Sequence, residues 1–252
     1  MLVTALHSTW LKPSRAESST ILKADMHLLE PGATYSVTAV GPLVDGHYLL
    51  TLDELLQGYK EWYVYAAHVR IDGMPKVVNL PVPYHPQYDN AYQPNSSCFA
   101  TSVSMALAFY GVKPKTQGVA LEDELYLFIQ DNGLDRFSWQ DIAWVVGKYG
   151  CKATITTSGT FSDIKAALDR GCPVILGTFL THAGHIILVR GYDSEGLICN
   201  DPWGLALGGG SYDLQKDGNG VHYPWSMIAA DASEQGVADP TDLWIMVVEA
   251  SA

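Results

Sequence analysis

"QPNSSCFATSVSMALAFYG", residues 93–111, joins a polar run to an apolar one, and a cysteine stands at the join. Phe99, Val103, Ala106, Leu107 and Tyr110 recur at the spacing of one helix face, and Gly111 sits where a left-handed C-terminal cap belongs. Asn95, Ser96 and Ser97 all favour the N-cap, which puts Cys98 in the first turn of the helix. Unpaired N–H groups and the helix dipole favour negative charge at that end, so a thiol there is drawn toward its reactive thiolate form. The same position also suits a small buried helix residue, the common role of a free cysteine.

Downstream of this stretch the pattern is helices first and strands afterward. "LEDELYLFIQDNG" (121–133), "SWQDIAWVVGKYG" (138–150) and "SDIKAALDRG" (162–171) carry helical spacing; Ser138 and Asp141 stand in capping-box positions, and Ser162 is the expected cap of the last. "CPVILGTF" (172–179), "HIILVRGY" (185–192), "GLICND" (196–201) and "LWIMVVEA" (243–250) read as strands. That order predicts an α+β domain with an antiparallel sheet packed on helices.

Upstream, "ATYSVTAV" (33–40), "HYLLTL" (47–52, after the turn signal Asp45-Gly46) and "EWYVYAAHVRI" (61–71) read as short strands, with only a weak helical signal in "LDELLQG". A small closed barrel is the economical way to hide the edges of such strands. "DGMPKVVNLPVPYHPQ" (72–87) holds four prolines and reads as a chain running between domains. The expected organisation is a β-barrel over 1–71, a linker over 72–81 and the α+β domain over 82–252.

The 252-residue length suits one large domain or two modest ones. A net charge of −12 argues against nucleic acid as a partner and against adhesion to anionic membranes by charge. No apolar run approaches the roughly 20 residues of a membrane span, and "MLVTALHSTWLKPSR" lacks the pattern of a signal peptide, so synthesis in a cytoplasm is expected. Cys98, Cys151, Cys172 and Cys199 form no CxxC pair, which disfavours a zinc cluster or a disulfide framework, and no cofactor is expected.

A nucleophilic thiol needs a base, and the base needs a group that orients it. His185 stands at the mouth of a strongly apolar strand, just after a glycine, where clefts form. His182 belongs to the loop before it, and the two lack a third ligand for zinc. His7, His27, His47, His68, His85 and His222 have no comparable setting. Asp193 lies eight residues beyond His185, roughly 26 Å along a strand, and is too far to orient it. After the turn at "DSEG" the chain returns toward His185 with Asn200 and Asp201, and one residue of register decides which of them shares its face.

"VPYHPQYDN…SSCFATSVSMALAFYG", "HAGHIILVRGYD" and "NDPWG", in that order, resemble the double-glycine-peptidase-like branch of the papain-fold cysteine peptidases. The resemblance covers roughly residues 82–250. It implies a papain-like domain in which Cys98 is the nucleophile, His185 the general base and acid, and Asp201 the orienting group. Gln87 would be an oxyanion-hole donor beside the Cys98 backbone N–H. Two departures stand out: Phe99 follows the cysteine where the family often has glycine, and Gln87 is further upstream than in papain-like spacing, so Gln93 competes for its role.

The implied reaction is hydrolysis of an amide through a thioester. Family members that trim bacteriocin leaders are generally fused to membrane exporters, and no such segment is expected here. Free-standing members joined to a small barrel resemble phage endolysins, whose SH3-like barrel holds the cell wall. The resemblance therefore implies a peptidoglycan endopeptidase released on host lysis. The other readings are a peptidase or acyltransferase acting on a cytoplasmic or virion protein, and a non-catalytic binding protein on the same fold.

Overall fold

The computed structural model describes residues 1–251, and the chain divides into two compact units, one ending at Val78 and one beginning at Asn79. The first unit is built from strands β1 (Leu2–Ala5), β2 (Thr9–Leu11), β3 (His27–Leu29), β4 (Thr34–Val40), β5 (His47–Leu56), β6 (Tyr59–Tyr65) and β7 (Val69–Ile71). Five of them form a sheet in the order β6-β5-β4-β1-β7, and β2 pairs with β3. A short 3-10 turn, Ala66–His68, joins β6 to β7. Lys12, just past β2, bridges to Tyr63 and so touches the outer edge of β6.

Alternation explains the first core. Tyr48, Leu50 and Leu52 of β5 face inward with Trp62 and Val64 of β6, closing around Val3, Leu11 and Val37. The weakly helical "LDELLQG" is the end of β5 and its turn. Gln57 and Gly58 take positive φ of 53° and 88°, the pattern of a tight hairpin, and that pairing overrides helix propensity.

The second unit follows a two-residue strand, β8 (Val78–Asn79). Its helices are α1 (Cys98–Phe109), α2 (Leu121–Asp131), α3 (Trp139–Lys148), α4 (Phe161–Asp169) and α5 (Trp225–Asp231). Its strands are β9 (Cys151–Gly159), β10 (Val174–Thr178), β11 (His185–Tyr192), β12 (Gly196–Asn200), β13 (Leu205–Gly208), β14 (Ser211–Asp213), β15 (Val221–Pro224) and β16 (Leu243–Ala250). An antiparallel sheet runs in the order β15-β12-β11-β10-β16-β9, and β13 pairs with β14.

Helix α1 is the centre of this unit, with Phe99 through Leu107 all buried. Its apolar residues pack against Leu188 of β11 and Met246 and Val248 of β16. A helix buried all round must satisfy its own hydroxyls: Thr101 donates to the Ser97 carbonyl, Ser104 to the Thr101 carbonyl, and Ser102 to the Ile186 carbonyl, which ties α1 to β11. At its end Gly111 takes φ 81°; its N–H bonds the Ala108 carbonyl and that of Val112 bonds the Leu107 carbonyl, a Schellman closure.

One expected cap is corrected. Helix α4 starts at Phe161, and Thr160, not Ser162, caps it in a full capping box with Asp163. Phe161 is buried and needs the first helical position to reach Trp225, ring centroids 4.9 Å apart, which fixes the cap one residue earlier. Strands β9 and β13 to β15 and helix α5 had no counterpart in the sequence reading.

Candidate active site

Cys98 opens α1 and is half-buried. The Ser97 hydroxyl, in the N-cap position, makes no bond to a helix N–H and instead accepts from Asn90 Nδ2 at 2.8 Å. The first turn of α1 therefore carries no side-chain cap, and its amides stay free for a negative group.

His185, at the start of β11, is 5 % exposed. Its Nε2 meets Asp201 Oδ1 at 2.7 Å, and Cys98, which lines the same cleft, lies close enough to the ring to act on its charge. Burial works against the charged imidazole, but the Asp201 carboxylate and Cys98 outweigh it and raise the pKa to about 10. Cys98, His185 and Asp201 are thus gathered around one buried imidazole.

Asp201 is fully buried and saturated with donors. Oδ1 also accepts from the Trp203 N–H at 2.9 Å, and Oδ2 accepts from the hydroxyls of Tyr212 and Tyr223 at 3.0 and 2.8 Å. Burial and the nearby carboxylate push both phenols well above the ordinary tyrosine range, so they remain donors. The Tyr212 ring also stands edge-on to the His185 ring, centroids 5.9 Å apart. Asn200 points elsewhere: Nδ2 donates to the carbonyls of Val82 and Pro83, and Oδ1 accepts from Arg190 and the Gly220 N–H.

Gln87 is buried between the segments that carry Cys98 and Asp201. Its backbone N–H bonds the Pro202 carbonyl at 2.8 Å, and Nε2 donates to the Pro94 carbonyl at 2.8 Å. Gln93 is exposed, with φ 48°, at a turn closed by the Ser96 N–H on its carbonyl. His182 is exposed and lies against Gly210, outside the His185–Asp201 contact.

The acidic first turn of α2, unassigned by sequence reasoning, braces this loop. Asp123 Oδ1 accepts from the N–H groups of Ala91 and Tyr92, Glu122 pairs with His85 at 3.1 Å, and Glu124 accepts from the amides of Lys115 and Thr116. Three adjacent carboxylates at a helix start are the sequence signal that was available. Tyr212 and Tyr223 had no such signal, because they arrive from separate later strands.

Cys151 and Cys199 are buried, and burial pushes both thiols up, away from reactivity. Among the described residues no three His, Cys, Asp or Glu side chains are grouped to hold a metal ion, and no helix is long and apolar enough to cross a membrane. Beside Cys98 and His185 opens a cleft of about 380 Å³.

Residues 79–227, more than half the chain, match the Peptidase_C39 like family. The chain belongs to that family. Membership assigns it to the cysteine peptidases at the level of the family. No curated protein sequence matches it. One similar solved structure is a double glycine motif protease from an AMS/PCAT transporter, in complex with the leader peptide. It is 18 % identical, with TM-score 0.42 over 72 % of this chain and 100 % of that one. Another is a candidate C39-like peptidase from Bacillus anthracis, 16 % identical, with TM-score 0.46 over 70 % of this chain and 100 % of that one.

Proposed function

We propose that this C39-like chain hydrolyses peptide amides through a Cys98–His185–Asp201 triad. The observation that carries the reading is a buried imidazole held at 2.7 Å by a carboxylate with four donors, in a cleft whose lining also holds the Cys98 thiol. Cys98 gives its thiol proton to His185, and Sγ attacks the carbonyl carbon. The oxyanion is met by the Cys98 backbone N–H at the uncapped helix start and by the second Nε2 hydrogen of Gln87, the first being held by the Pro94 carbonyl. His185 passes its proton to the leaving amine as the C–N bond breaks, which leaves a thioester. The now neutral His185 takes a proton from water, the hydroxide attacks the thioester, and the carboxylic acid leaves as the C–S bond breaks.

The wall peptide of bacteria is the target we propose, with the first unit as the wall-binding module. The SH3-like reading of this unit is supported by its strand order β6-β5-β4-β1-β7, with a 3-10 turn before the last strand. The β5–β6 hairpin also borders a groove of about 1060 Å³, with Leu55 and Tyr59 exposed. A second reading, a peptidase acting on a protein or longer peptide, is favoured by the aromatic lining of the cleft at Cys98.

Incubating the purified full chain with a suspension of bacterial walls and, separately, with casein tests these readings. Clearing of the walls supports the first and cleavage of casein alone supports the second. Cys98→Ala is expected to abolish either activity with the fold retained. Activity that survives in Cys98→Ala, or none in the natural chain, rejects the triad.

A further inference from the structure

Five of the residues around the cleft are aromatic, Phe99, Phe137, Trp139, Phe179 and Trp244, and Glu234 is the one acidic residue among the lining. Phe99 and Trp139 form the buried floor, with ring centroids 4.9 Å apart, and Trp139 continues to Trp244 at 5.7 Å. Phe137, Phe179 and Trp244 stand 58, 54 and 46 % exposed. Gly177 of β10 lets this floor exist, because a side-chain carbon there would lie 3.0 Å from the Trp139 ring and 3.4 Å from Trp244.

Large aromatic faces gathered in a concavity leave apolar surface in water that a ligand can cover. The cleft's 380 Å³ equals the share of on the order of ten waters. Such a space is far more than a glycine or alanine residue fills. Its lining holds no Lys or Arg, and its one basic ring, His185, is already engaged by Asp201. Cys98 and His185 form part of its wall, so whatever fills it lies next to the reacting carbonyl.

We propose that this cleft is the specificity site of the peptidase and takes a bulky apolar side chain, aromatic or branched aliphatic, from a residue within two positions of the scissile bond. The inference rests on the peptidase reading, and it accounts for Phe99 in the position after the cysteine: its ring is flooring for Trp139.

The test uses alkylation of Cys98, which needs no turnover. Acetyl-Gly-Gly-, acetyl-Gly-Phe- and acetyl-Phe-Gly-chloromethyl ketone each alkylate the thiolate with loss of chloride, and mass spectrometry of the full chain gives the rates. Iodoacetamide, which carries no side chain, serves as the reference. At least one Phe reagent is expected to label Cys98 ten or more times faster than the Gly-Gly reagent, relative to iodoacetamide. Trp244→Ala and Phe179→Ala, both at half-exposed positions, should cut that advantage to less than threefold. Equal rates for all three reagents, or an advantage untouched in both variants, would overturn the proposal. Failure of the peptidase reading looks different: strong Phe preference in labelling with no hydrolysis of casein or walls by the unlabelled chain.

Discussion

Asn200 and Asp201 are adjacent in the chain, yet one supports a loop and the other a histidine, and a single unpaired residue separates these fates. Strands β11 and β12 pair Tyr192 with Leu197 and Gly191 with Ile198, but past a bulge at Arg190 they pair Val189 with Cys199 and Leu188 with Asn200. Without that extra residue Asn200 would stand opposite Val189, on the His185 side of the strand; with it, Asp201 falls there. Asp201→Ala is expected to lower kcat by about a thousandfold or more, as mis-set imidazoles do in other triads. Asn200→Ala should instead cost stability, about 1–3 kcal/mol, by stranding the Val82 and Pro83 carbonyls and the Gly220 N–H. Kinetics and denaturant melts on the two variants separate these effects, and the reverse ranking would move the orienting role to Asn200. The raised pKa of His185 gives a second expectation. In the proposed mechanism the imidazolium protonates the leaving amine, so activity should be present below its folded pKa and be lost as pH rises through it. The alkaline limb of kcat/KM should lie nearer 10 than the ordinary 6.5. In Asp201→Asn the limb should move to lower pH, because burial then acts with less opposition.

At the scale of elements, Thr160 shows where local chemistry decides and where packing does. Its Oγ1 accepts from the Asp163 N–H at 3.1 Å, while Asp163 Oδ2 accepts from the Thr160 N–H at 2.9 Å and its hydroxyl at 2.7 Å. Thr160→Ala should cost about 1 kcal/mol in a urea melt, and Ser162→Ala, at an exposed position inside the first turn, no more than about 0.5 kcal/mol. Equal costs would mean that the helix begins later than Phe161. Both residues are sound caps on paper; only the burial of Phe161 chooses between them, and burial is a tertiary fact. The same divide governs the rest of the second unit. Helices α1 to α3 were legible because apolar residues repeat at their period and Gly111, Gly133 and Gly150 punctuate their ends. Strand β9, "CKATITTSG", was not: its burial does not alternate cleanly, and it is held by β16, some ninety residues later in the chain. In the site, the helix-start position of Cys98 and the strand-mouth position of His185 could be read locally. The bulge that turns Asp201 inward, and the Tyr212 and Tyr223 hydroxyls that hold it, depend on pairings with no local signature.

At the scale of the molecule, one hydrophobic core cluster lies within Val3–Val77 and another within Val82–Val248, with no residue in common. Cys98, His185, Asp201 and Gln87 all belong to the unit that begins at Asn79. A chain starting at residue 79 is therefore expected to fold alone and to hydrolyse a soluble peptide within roughly threefold of the full chain, a difference of about 0.7 kcal/mol in the barrier. If the first unit targets walls, the shortened enzyme should sediment with insoluble peptidoglycan much less than the whole chain does. The charge sets the character of that binding. A molecule at −12 gains nothing by general attraction to anionic wall polymers. Binding then rests on shaped contacts, such as the groove bordered by Tyr59, Trp62 and Leu55. Contacts of that kind are indifferent to screening, which at 0.15 M salt already confines exposed charges to about 8 Å. Co-sedimentation of the full chain should therefore persist from low salt to 0.5 M, while Tyr59→Ala weakens it without changing hydrolysis of the soluble peptide. Equal sedimentation of the shortened and full chains would remove the targeting role from the first unit, and steep loss with salt would replace the shaped groove with a charged contact.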